Sequence, residues 1–272
     1  MPATTVGAVH PIERLRYVAR ATHVPADVLA RETAMALADF VGDDAALLIA
    51  CKRILSRQPT SAPLVWLTAH ALAAPNQRRA LWEAVEQLEE DQTQAALAYS
   101  LPDDATVAVV GWSDSLGTLA RRRGDIGFIA VDTDGSVEYQ IDRYADEDQR
   151  ITVVDAESTA QALFDTTHLL VPFDALGEEQ GLAAIGTFAA AAVARHIDVP
   201  VWGIASLGVG LGGRMYDGLT RRWHEHATEP LTLREREEVP TVLIDQVITP
   251  TGLTASAGAA RAGGCPIVPE LF

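Results

Sequence analysis

Apolar residues recur at helical spacing through the first hundred residues of this chain. Five helical segments are predicted there, and they begin near Pro11, Pro25, Asp43, Pro63 and Asn76. The last of them is predicted to be one long helix that reaches Tyr99. Because no clear strand pattern interrupts these segments, residues 1–101 are predicted to form an all-helical subdomain.

From residue 102 onward, short apolar runs alternate with helical patterns. Strands are predicted in ATVAVVGW, DIGFIAVD, ITVVD, HLLVPFD, VPVWGIA and TVLIDQVI. Helices are predicted in LGTLARRR, STAQALFD, residues 178–196 and MYDGLTRRW, and Asp134-Gly135 is a strong turn signal for a hairpin or strand extension. Continuous apolar strands separated by helices are typical of a parallel sheet that helices cover on both faces. The predicted fold class is α/β, with a Rossmann-like, mostly parallel sheet in residues 102–272 after the helical subdomain.

Charge and cysteine content narrow the possible partners. The 272 residues include 21 basic and 37 acidic side chains, for a formal net charge of −16. This charge would repel nucleic acid and anionic membranes, so neither is expected as a partner. Cys51 and Cys265 fit neither a disulfide framework nor a zinc spacing, which favours free thiols in a reducing cytoplasm. The first residues do not follow a signal-peptide pattern. No cofactor is predicted.

Candidate ligand contacts follow two of the predicted strands, because ligands of such a sheet bind beyond the carboxyl ends of its strands. Gly111, Trp112 and Ser113 come after the first strand and could present backbone amides and a hydroxyl to an anion. Ser113 could equally be an ordinary helix N-cap. Asp174 ends HLLVPFD and could be a general acid or base, or it could cap a helix or simply end the strand.

A glycine-rich loop, SLGVGLGGRM, follows the strand VPVWGIA and is a further candidate. Its glycines could let backbone amides approach a phosphate, with Ser206 and Arg214 as polar contacts at its two ends. The loop does not follow the usual dinucleotide fingerprint, and a tightly turning loop is the alternative. His224 and His226 would lie on different faces of a helix, so no metal site is predicted.

Three strings together resemble one superfamily: VVGWSDSL, VPFDALGEEQGLAAIGTFAAAAVARHIDVPVWGIA and VLIDQVITPTGLTA. The superfamily contains regulatory subunits of eukaryotic initiation factor two-B, methylthioribose-1-phosphate isomerase and ribose-1,5-bisphosphate isomerase. The resemblance extends over most of residues 10–255 and is typical of a divergent bacterial member. It implies a ribose-phosphate ligand, an aldose–ketose conversion in the isomerases, and a homodimer through the C-terminal domain.

The resemblance also implies roles for single residues. Asp174 matches the catalytic aspartate of the isomerases, whereas Gly111 stands at the position of their catalytic cysteine. Gly186 and Thr187 match a second loop of the site. The Asn-Lys that normally precedes this loop is Ala183-Ala184 here.

The expected phosphate-contact segment after the second strand is acidic in this chain, at Asp132 and Asp134. Carboxylates there would disfavour a sugar bisphosphate. The sequence therefore predicts a protein that binds a small phosphorylated sugar or nucleotide-like metabolite, with isomerase activity left open. The alternatives are a non-catalytic regulatory or scaffold protein, and an enzyme that binds a nucleotide cofactor at residues 208–213.

Overall fold

A computed structural model describes residues 26–144, 150–226 and 235–272. Its described N-terminal part is helical, with α1 (Ala26–Leu37), α2 (Asp44–Arg57), α3 (Ala62–Ala73), α4 (Gln77–Glu89) and α5 (Thr93–Ser100). The side chains of Asp43 and Asn76 cap α2 and α4, because each accepts a hydrogen bond from a first-turn amide. The predicted all-helical character is confirmed, while the helix predicted from Pro11 lies outside the described residues.

The segment predicted as one long helix from Asn76 to Tyr99 is two helices, so that prediction is wrong. α4 ends at Glu89 and α5 begins at Thr93. The Asp91 carboxylate accepts hydrogen bonds from the Thr93 amide at 3.1 Å and from its hydroxyl at 2.7 Å. These bonds favour the start of a new helix.

The C-terminal part of the described chain alternates strands and helices. The strands are β1 (Thr106–Val110), β2 (Gly127–Asp132), β3 (Ile151–Asp155), β4 (His168–Pro172), β5 (Ala175–Leu176), β6 (Gln180–Ala184), β7 (Val201–Ile204), β8 (Arg236–Pro240), β9 (Gln246–Thr249) and β10 (Gly252–Thr254). The helices are α6 (Asp114–Arg122), α7 (Val137–Tyr144), α8 (Thr159–Phe164), α9 (Thr187–His196), α10 (Gly213–His226) and α11 (Ser256–Ala262).

Seven of the described strands form the main sheet, in the order β10-β9-β7-β4-β1-β2-β3. Within it, β9 and β10 pair antiparallel and the remaining pairs are parallel. Read from β3 to β9, this is the strand order of a Rossmann-type sheet. β1 and β4 are neighbours in this sheet. From β1 the chain continues to β2 and toward one edge of the sheet, and from β4 it continues to β7 and toward the other edge. The predicted fold class is confirmed.

Helices cover both faces of this sheet. On one face, α5 contacts β9 and β10, and α7 contacts β2. Leu97, Leu116 and Val137, from α5, α6 and α7, share one buried cluster with side chains of β1 and β2. On the other face, α8 contacts β2 and β3, α9 contacts β4 and β7, and α11 contacts β9. The buried alanines of α9 allow its close approach. No described helix is both long and apolar enough to cross a membrane.

Helix α10 packs against the N-terminal helices. Met215, Leu219 and Trp223 belong to the same buried cluster as the apolar side chains of α1 to α4. Ala175 and Leu182, from β5 and β6, belong to this cluster as well. The division of the chain at residues 101 and 102 stays a prediction, and any such division would cut through a shared core.

Residues 178–196 are not one helix, as the sequence predicted, but the strand β6 followed by the shorter helix α9. β6 belongs to a second, three-stranded antiparallel sheet in the order β5-β6-β8. A Cβ atom on Gly181 would lie 2.4 Å from the Phe173 ring, so this close packing requires glycine. The extended form of β6 depends on pairing with β8, a segment far away in sequence.

The predicted hairpin at Asp134-Gly135 is wrong, because the chain turns there from β2 into α7. The Asp132 carboxylate accepts hydrogen bonds from the amides of Asp134 at 3.2 Å and Gly135 at 2.7 Å. This local turn leads into α7, where Val137 is fully buried. The Asp132 carboxylate therefore stabilises this turn.

The last predicted strand, TVLIDQVI, is also only partly correct. Its first residues, Thr241–Leu243, form a single 3₁₀ turn, and the strand is Gln246–Thr249. The strands β8 and β10 and the helix α11 were not predicted. Their short segments lack the apolar periodicity that indicates an element from sequence.

We expect stability to fall on acidification, because burial lowers the pKa of His70 on α3 and of His168 on β4. In His70, a hydrogen bond to the backbone of Gly264 opposes the shift. With a folded-state pKa below the ordinary value of 6.5, each histidine gains a proton on unfolding, and stability is lost as pH falls below about 6.5. Urea midpoints at pH 7.5 and 5.5 measure the loss.

His70→Gln should reduce this pH dependence, whereas the control His226→Gln, at an exposed position at the end of α10, should retain it. An unchanged pH dependence in His70→Gln would contradict the assignment to His70.

Candidate functional site

The candidate site is a cleft at the carboxyl ends of β1 and β4, where the connections of the sheet diverge. A volume of about 430 Å³ opens there between the main sheet and the second sheet. Ligands of open α/β sheets bind at this kind of crevice. The cleft is lined by Val110, Gly111, Trp112, Ser113, Asp114, Thr133, Asp134, Ser136, Tyr139, Gln140, Pro172, Asp174, Ala184, Glu235 and Arg236.

The turn after β1, which the sequence offers as a candidate ligand contact, forms one wall of the cleft. Gly111 has a positive φ of 73°, and its amide donates a 2.9 Å hydrogen bond to the carbonyl of Val131 on β2. This backbone conformation disfavours any residue with a Cβ atom. A cysteine at position 111, where the resemblance places the catalytic one, would therefore be strained.

Two polar atoms in this turn are buried without a hydrogen-bond partner among the described residues. They are the hydroxyl oxygen of Ser113 and the indole nitrogen of Trp112. Ser113 is the N-cap of α6, yet its hydroxyl makes no capping hydrogen bond. Because buried polar atoms are normally paired, these two atoms make the turn a candidate for ligand contact.

Asp174 and Arg236 form an ion pair on the opposite side of the cleft. The guanidinium Nε of Arg236 donates to Oδ2 of Asp174, and Nη1 donates to the Glu235 carbonyl at 3.1 Å. The Asp174 charge is the main reason that the pKa of Arg236 is raised, and burial opposes it. The two side chains remain 34% and 36% exposed, so a ligand can reach them.

Asp174 does not cap a helix, which was one of the alternatives from sequence. Its amide donates a 2.9 Å hydrogen bond to the carbonyl of Leu182, and the chain continues into β5. The second sheet also brings Arg236 to the cleft, because Arg236 opposes Ala184 in the β6–β8 ladder. Arg236 was missed from sequence, since β8 has no apolar alternation that would predict a strand.

The turn between β2 and α7 forms a third wall, also missed from sequence except for Asp134. The turn contributes Thr133 and Ser136, and the start of α7 contributes Tyr139 and Gln140. The Gln140 amide donates a 2.7 Å hydrogen bond to the Ser136 hydroxyl, and the Tyr139 side chain is 71% exposed. This wall therefore offers hydroxyl and amide groups and an aromatic ring.

The cleft has an excess of negative charge. Among the described residues that line it, Arg236 is the one cation. Four others carry carboxylates: Asp114, Asp134, Asp174 and Glu235. Ala184 lies in the wall where the resemblance places a lysine next to the second loop. The acidic character expected from the sequence is thus present at Asp134, while Asp132 lies in a neighbouring groove.

Gly186 and Thr187 lie beside the cleft and not among its lining residues. A Cβ atom on Gly186 would be 3.0 Å from the Thr133 methyl group, so the Gly186 backbone supports that wall. Thr187 is 3% exposed. The amide of Phe188 in the first turn of α9 donates a 2.8 Å hydrogen bond to the Glu237 carboxylate. A carboxylate of the protein therefore already lies where an anion could bind to this helix end.

Ser206 and Arg214 are not among the residues that line the cleft. The Ser206 carbonyl accepts a 3.0 Å hydrogen bond from the Val209 amide within the glycine-rich loop. Arg214 borders a separate surface groove beside Pro269 and Phe272.

The glycine-rich loop is packed against protein. A Cβ atom on Gly210 would lie 2.8 Å from the Ala259 carbonyl oxygen and 3.0 Å from that of Ala260. One on Gly208 would lie 3.2 Å from Cα of Pro63. The glycines thus allow close contact with α11 and α3, which supports the interpretation as a tightly turning loop.

Neither cysteine lines the cleft. Cys51 is fully buried among the N-terminal helices, and Cys265 lies in the partly buried C-terminal segment. Burial raises the pKa of each thiol to about 12, which disfavours the thiolate at neutral pH. Within the described residues, no group of three or more His, Cys, Asp or Glu side chains could hold a metal ion.

Several solved structures resemble this chain. The Pyrococcus horikoshii OT3 translation initiation factor eIF-2B has a TM-score of 0.68 at 14% identity, covering 90% of this chain and 96% of its own. The tetrameric eIF2B-beta2-delta2 complex from C. thermophilum gives a TM-score of 0.64 at 14% identity, with coverages of 93% and 94%. For 5-methylthioribose 1-phosphate isomerase from Pyrococcus horikoshii OT3 the TM-score is 0.60 at 15% identity, with coverages of 92% and 85%.

No protein-family model and no curated protein matches the sequence. The structural similarity agrees with the superfamily that the sequence resembles, and at these identities it establishes the fold alone. The chain therefore has the α/β fold of the eIF2B subunits and of 5-methylthioribose 1-phosphate isomerase.

Proposed function

We propose that this protein binds a small phosphorylated sugar or nucleotide-like metabolite in the cleft between β1 and β4. One observation carries the proposal: the unpartnered hydroxyl of Ser113 at the start of α6 and the Asp174–Arg236 pair line the same cleft. This combination supplies a hydrogen-bond donor, a guanidinium and a carboxylate to one ligand.

The phosphate group is assigned to Arg236 and the Ser113 turn. A guanidinium matches the geometry of phosphate oxygens, and a hydroxyl adds a charge-assisted hydrogen bond. The positive end of the α6 dipole favours an anion there as well.

The sugar is assigned to the remaining polar groups of the cleft. Asp174 can accept hydrogen bonds from ribose hydroxyls, and Gln140 can donate and accept them. The exposed ring of Tyr139 offers a flat surface to the apolar face of a sugar or to a base.

An aldose–ketose isomerase would use Asp174 to move the proton, since such a conversion needs a general acid or base beside the sugar carbons. The cysteine that the resemblance implies is replaced by Gly111, and neither Cys51 nor Cys265 lines the cleft. Binding is therefore the main proposed function, and any turnover would depend on Asp174 without a cysteine.

The expected test is thermal unfolding with ribose 5-phosphate. At about 100 times Kd the ligand should add about 2.7 kcal/mol to the free energy of unfolding, which raises Tm by roughly 5 °C. Ser113→Ala should weaken binding about tenfold, through the loss of one hydrogen bond to a charged group. Ser158→Ala is the matched control, because Ser158 is also an N-cap without a side-chain bond and lies outside the cleft.

The binding proposal is wrong if ribose 5-phosphate, ribose 1,5-bisphosphate and methylthioribose 1-phosphate all leave the Tm of the unsubstituted protein unchanged. Equal weakening by Ser113→Ala and Ser158→Ala would instead remove the Ser113 turn from the site.

The second candidate is a non-catalytic regulatory or scaffold protein. Two observations favour this candidate: Asp174 is already paired with Arg236, and the position of the expected cysteine is Gly111, whose positive φ disfavours a residue with a Cβ atom. Nuclear magnetic resonance spectra of a bound ribose phosphate distinguish the candidates: an isomerase produces the ketose, and a regulatory protein binds the sugar unchanged.

We also propose that the protein forms a homodimer and works in the cytoplasm. Phe164, Phe188 and Val242 are exposed apolar side chains on α8, α9 and the adjoining 3₁₀ turn, in the C-terminal part that the sequence resemblance assigns to the dimer contact. The structurally similar eIF2B beta and delta subunits come from a tetrameric complex.

A further inference from the structure

Arg236 is surrounded by negative charge within the cleft. Its guanidinium is bound to Asp174, and the charges of Glu235 and Asp134 also act on it. Among the described residues that line the cleft, it is the one side chain that carries positive charge. Among these described side chains, an anionic ligand group that enters the cleft therefore has one guanidinium to bind, and that guanidinium already has a partner.

The ion pair is accessible to such a ligand. About a third of each side chain is exposed, so both groups already have contact with solvent. Ion pairs of this exposure are weak, and a phosphate dianion is a stronger partner for a guanidinium than a carboxylate is. The carboxylate that is displaced needs a new partner, which the hydroxyls of a sugar can supply.

We infer that Arg236 exchanges its partner when ligand binds: it leaves Asp174 for the phosphate group, and Asp174 turns to the hydroxyls of the same ligand. This inference rests on the proposed function and assigns the phosphate to one side chain. In the unliganded cleft, Asp174 thus competes with phosphate for Arg236. The pair selects ligands that carry an anionic group and a hydrogen-bond donor side by side.

Inorganic phosphate tests the exchange, because it has the anionic charge but lacks the sugar hydroxyls that would bind the released Asp174. Asp174→Asn releases Arg236 and should strengthen phosphate binding at least tenfold. Arg236→Gln should reduce it at least tenfold, and Arg236→Lys should retain part of it, because the charge remains but the fork of donors is lost. Isothermal titration calorimetry of the full chain with inorganic phosphate measures all these affinities.

A general loss of negative charge could also strengthen phosphate binding, so Asp134→Asn is the matched control. Asp134 lines the same cleft but does not pair with Arg236, and its removal should strengthen binding no more than threefold. Arg195→Gln is the second control, since the Arg195–Asp245 pair has similar exposure and lies outside the cleft. It should leave phosphate affinity unchanged.

The outcomes separate the exchange from the proposed function. Equal gains in Asp174→Asn and Asp134→Asn, or a loss in Asp174→Asn, would overturn the exchange. Unchanged phosphate affinity in Arg236→Gln would overturn the role of Arg236, while ribose 5-phosphate binding that depends on Ser113 would leave the proposed function intact. If neither inorganic phosphate nor ribose 5-phosphate binds to any form of the chain, both proposals fail.

Discussion

Gly210→Ala is expected to lower the free energy of unfolding by about 2 kcal/mol, because the new methyl group would overpack a filled space. Its Cβ atom would lie 2.8 Å from the Ala259 carbonyl oxygen and 3.0 Å from that of Ala260. Both atoms belong to the backbone of α11, which cannot rotate away as a side chain can. Urea unfolding followed by circular dichroism measures the loss.

Gly212→Ala is the matched control within the same loop. A Cβ atom on Gly212 would have no neighbour within 4 Å, so we expect a change of no more than about 0.5 kcal/mol. If instead Gly210→Ala preserved stability and abolished binding of a dinucleotide, the loop would be a cofactor site. Similar stabilities for both variants would contradict the packing described for this loop.

Trp66→Ala is expected to lower the free energy of unfolding by about 4 kcal/mol, the cost typical of removing a large aromatic side chain from a core. Trp66 on α3 is 2% exposed, and its indole nitrogen donates a 2.7 Å hydrogen bond to the Gly263 carbonyl. The substitution removes this bond between the N-terminal helices and the C-terminal segment as well as the ring.

Trp82→Ala on α4 is the control, because this indole is 39% exposed and its loss should cost less than about 1 kcal/mol. Since one buried cluster joins α1 to α4 with α10, β5 and β6, we also expect a single unfolding transition in calorimetry. Two separated transitions, with only one of them moved by Trp66→Ala, would show that the two parts of the chain unfold independently.

The main sheet could largely be predicted because its inner strands are buried on both faces. β1, β2, β4 and β7 appear in the sequence as short apolar runs that end at glycine, aspartate or small polar residues. Their alternation with helical patterns predicts parallel pairing, and hence a ligand site at the carboxyl ends. Gly111, Ser113 and Asp174 can therefore be predicted as candidate site residues from the sequence alone.

Predictions failed where local pattern and tertiary contact disagree. Residues 178–196 are rich in apolar and small residues, which suits a helix, yet the first part becomes β6 because β8 supplies its hydrogen bonds. The turn at Asp134-Gly135 suits a hairpin, yet the chain continues into α7, because this helix buries Val137 in the core. In each case the deciding interaction lies outside the window in which a pattern is recognised.

The sequence by itself determined the α/β class and the helical N-terminal part, because buried faces repeat along the chain at the period of a helix or a strand. It also predicted a ligand site at the carboxyl ends of the strands, which stays a prediction. Only the tertiary structure decided that Arg236 meets Asp174, that Ser206 and Arg214 do not line the cleft, and that the glycine-rich loop is packed against α11. These facts depend on contacts between residues far apart in sequence, such as Asp174 and Arg236, whose numbers differ by 62. No local pattern of side chains encodes such a contact.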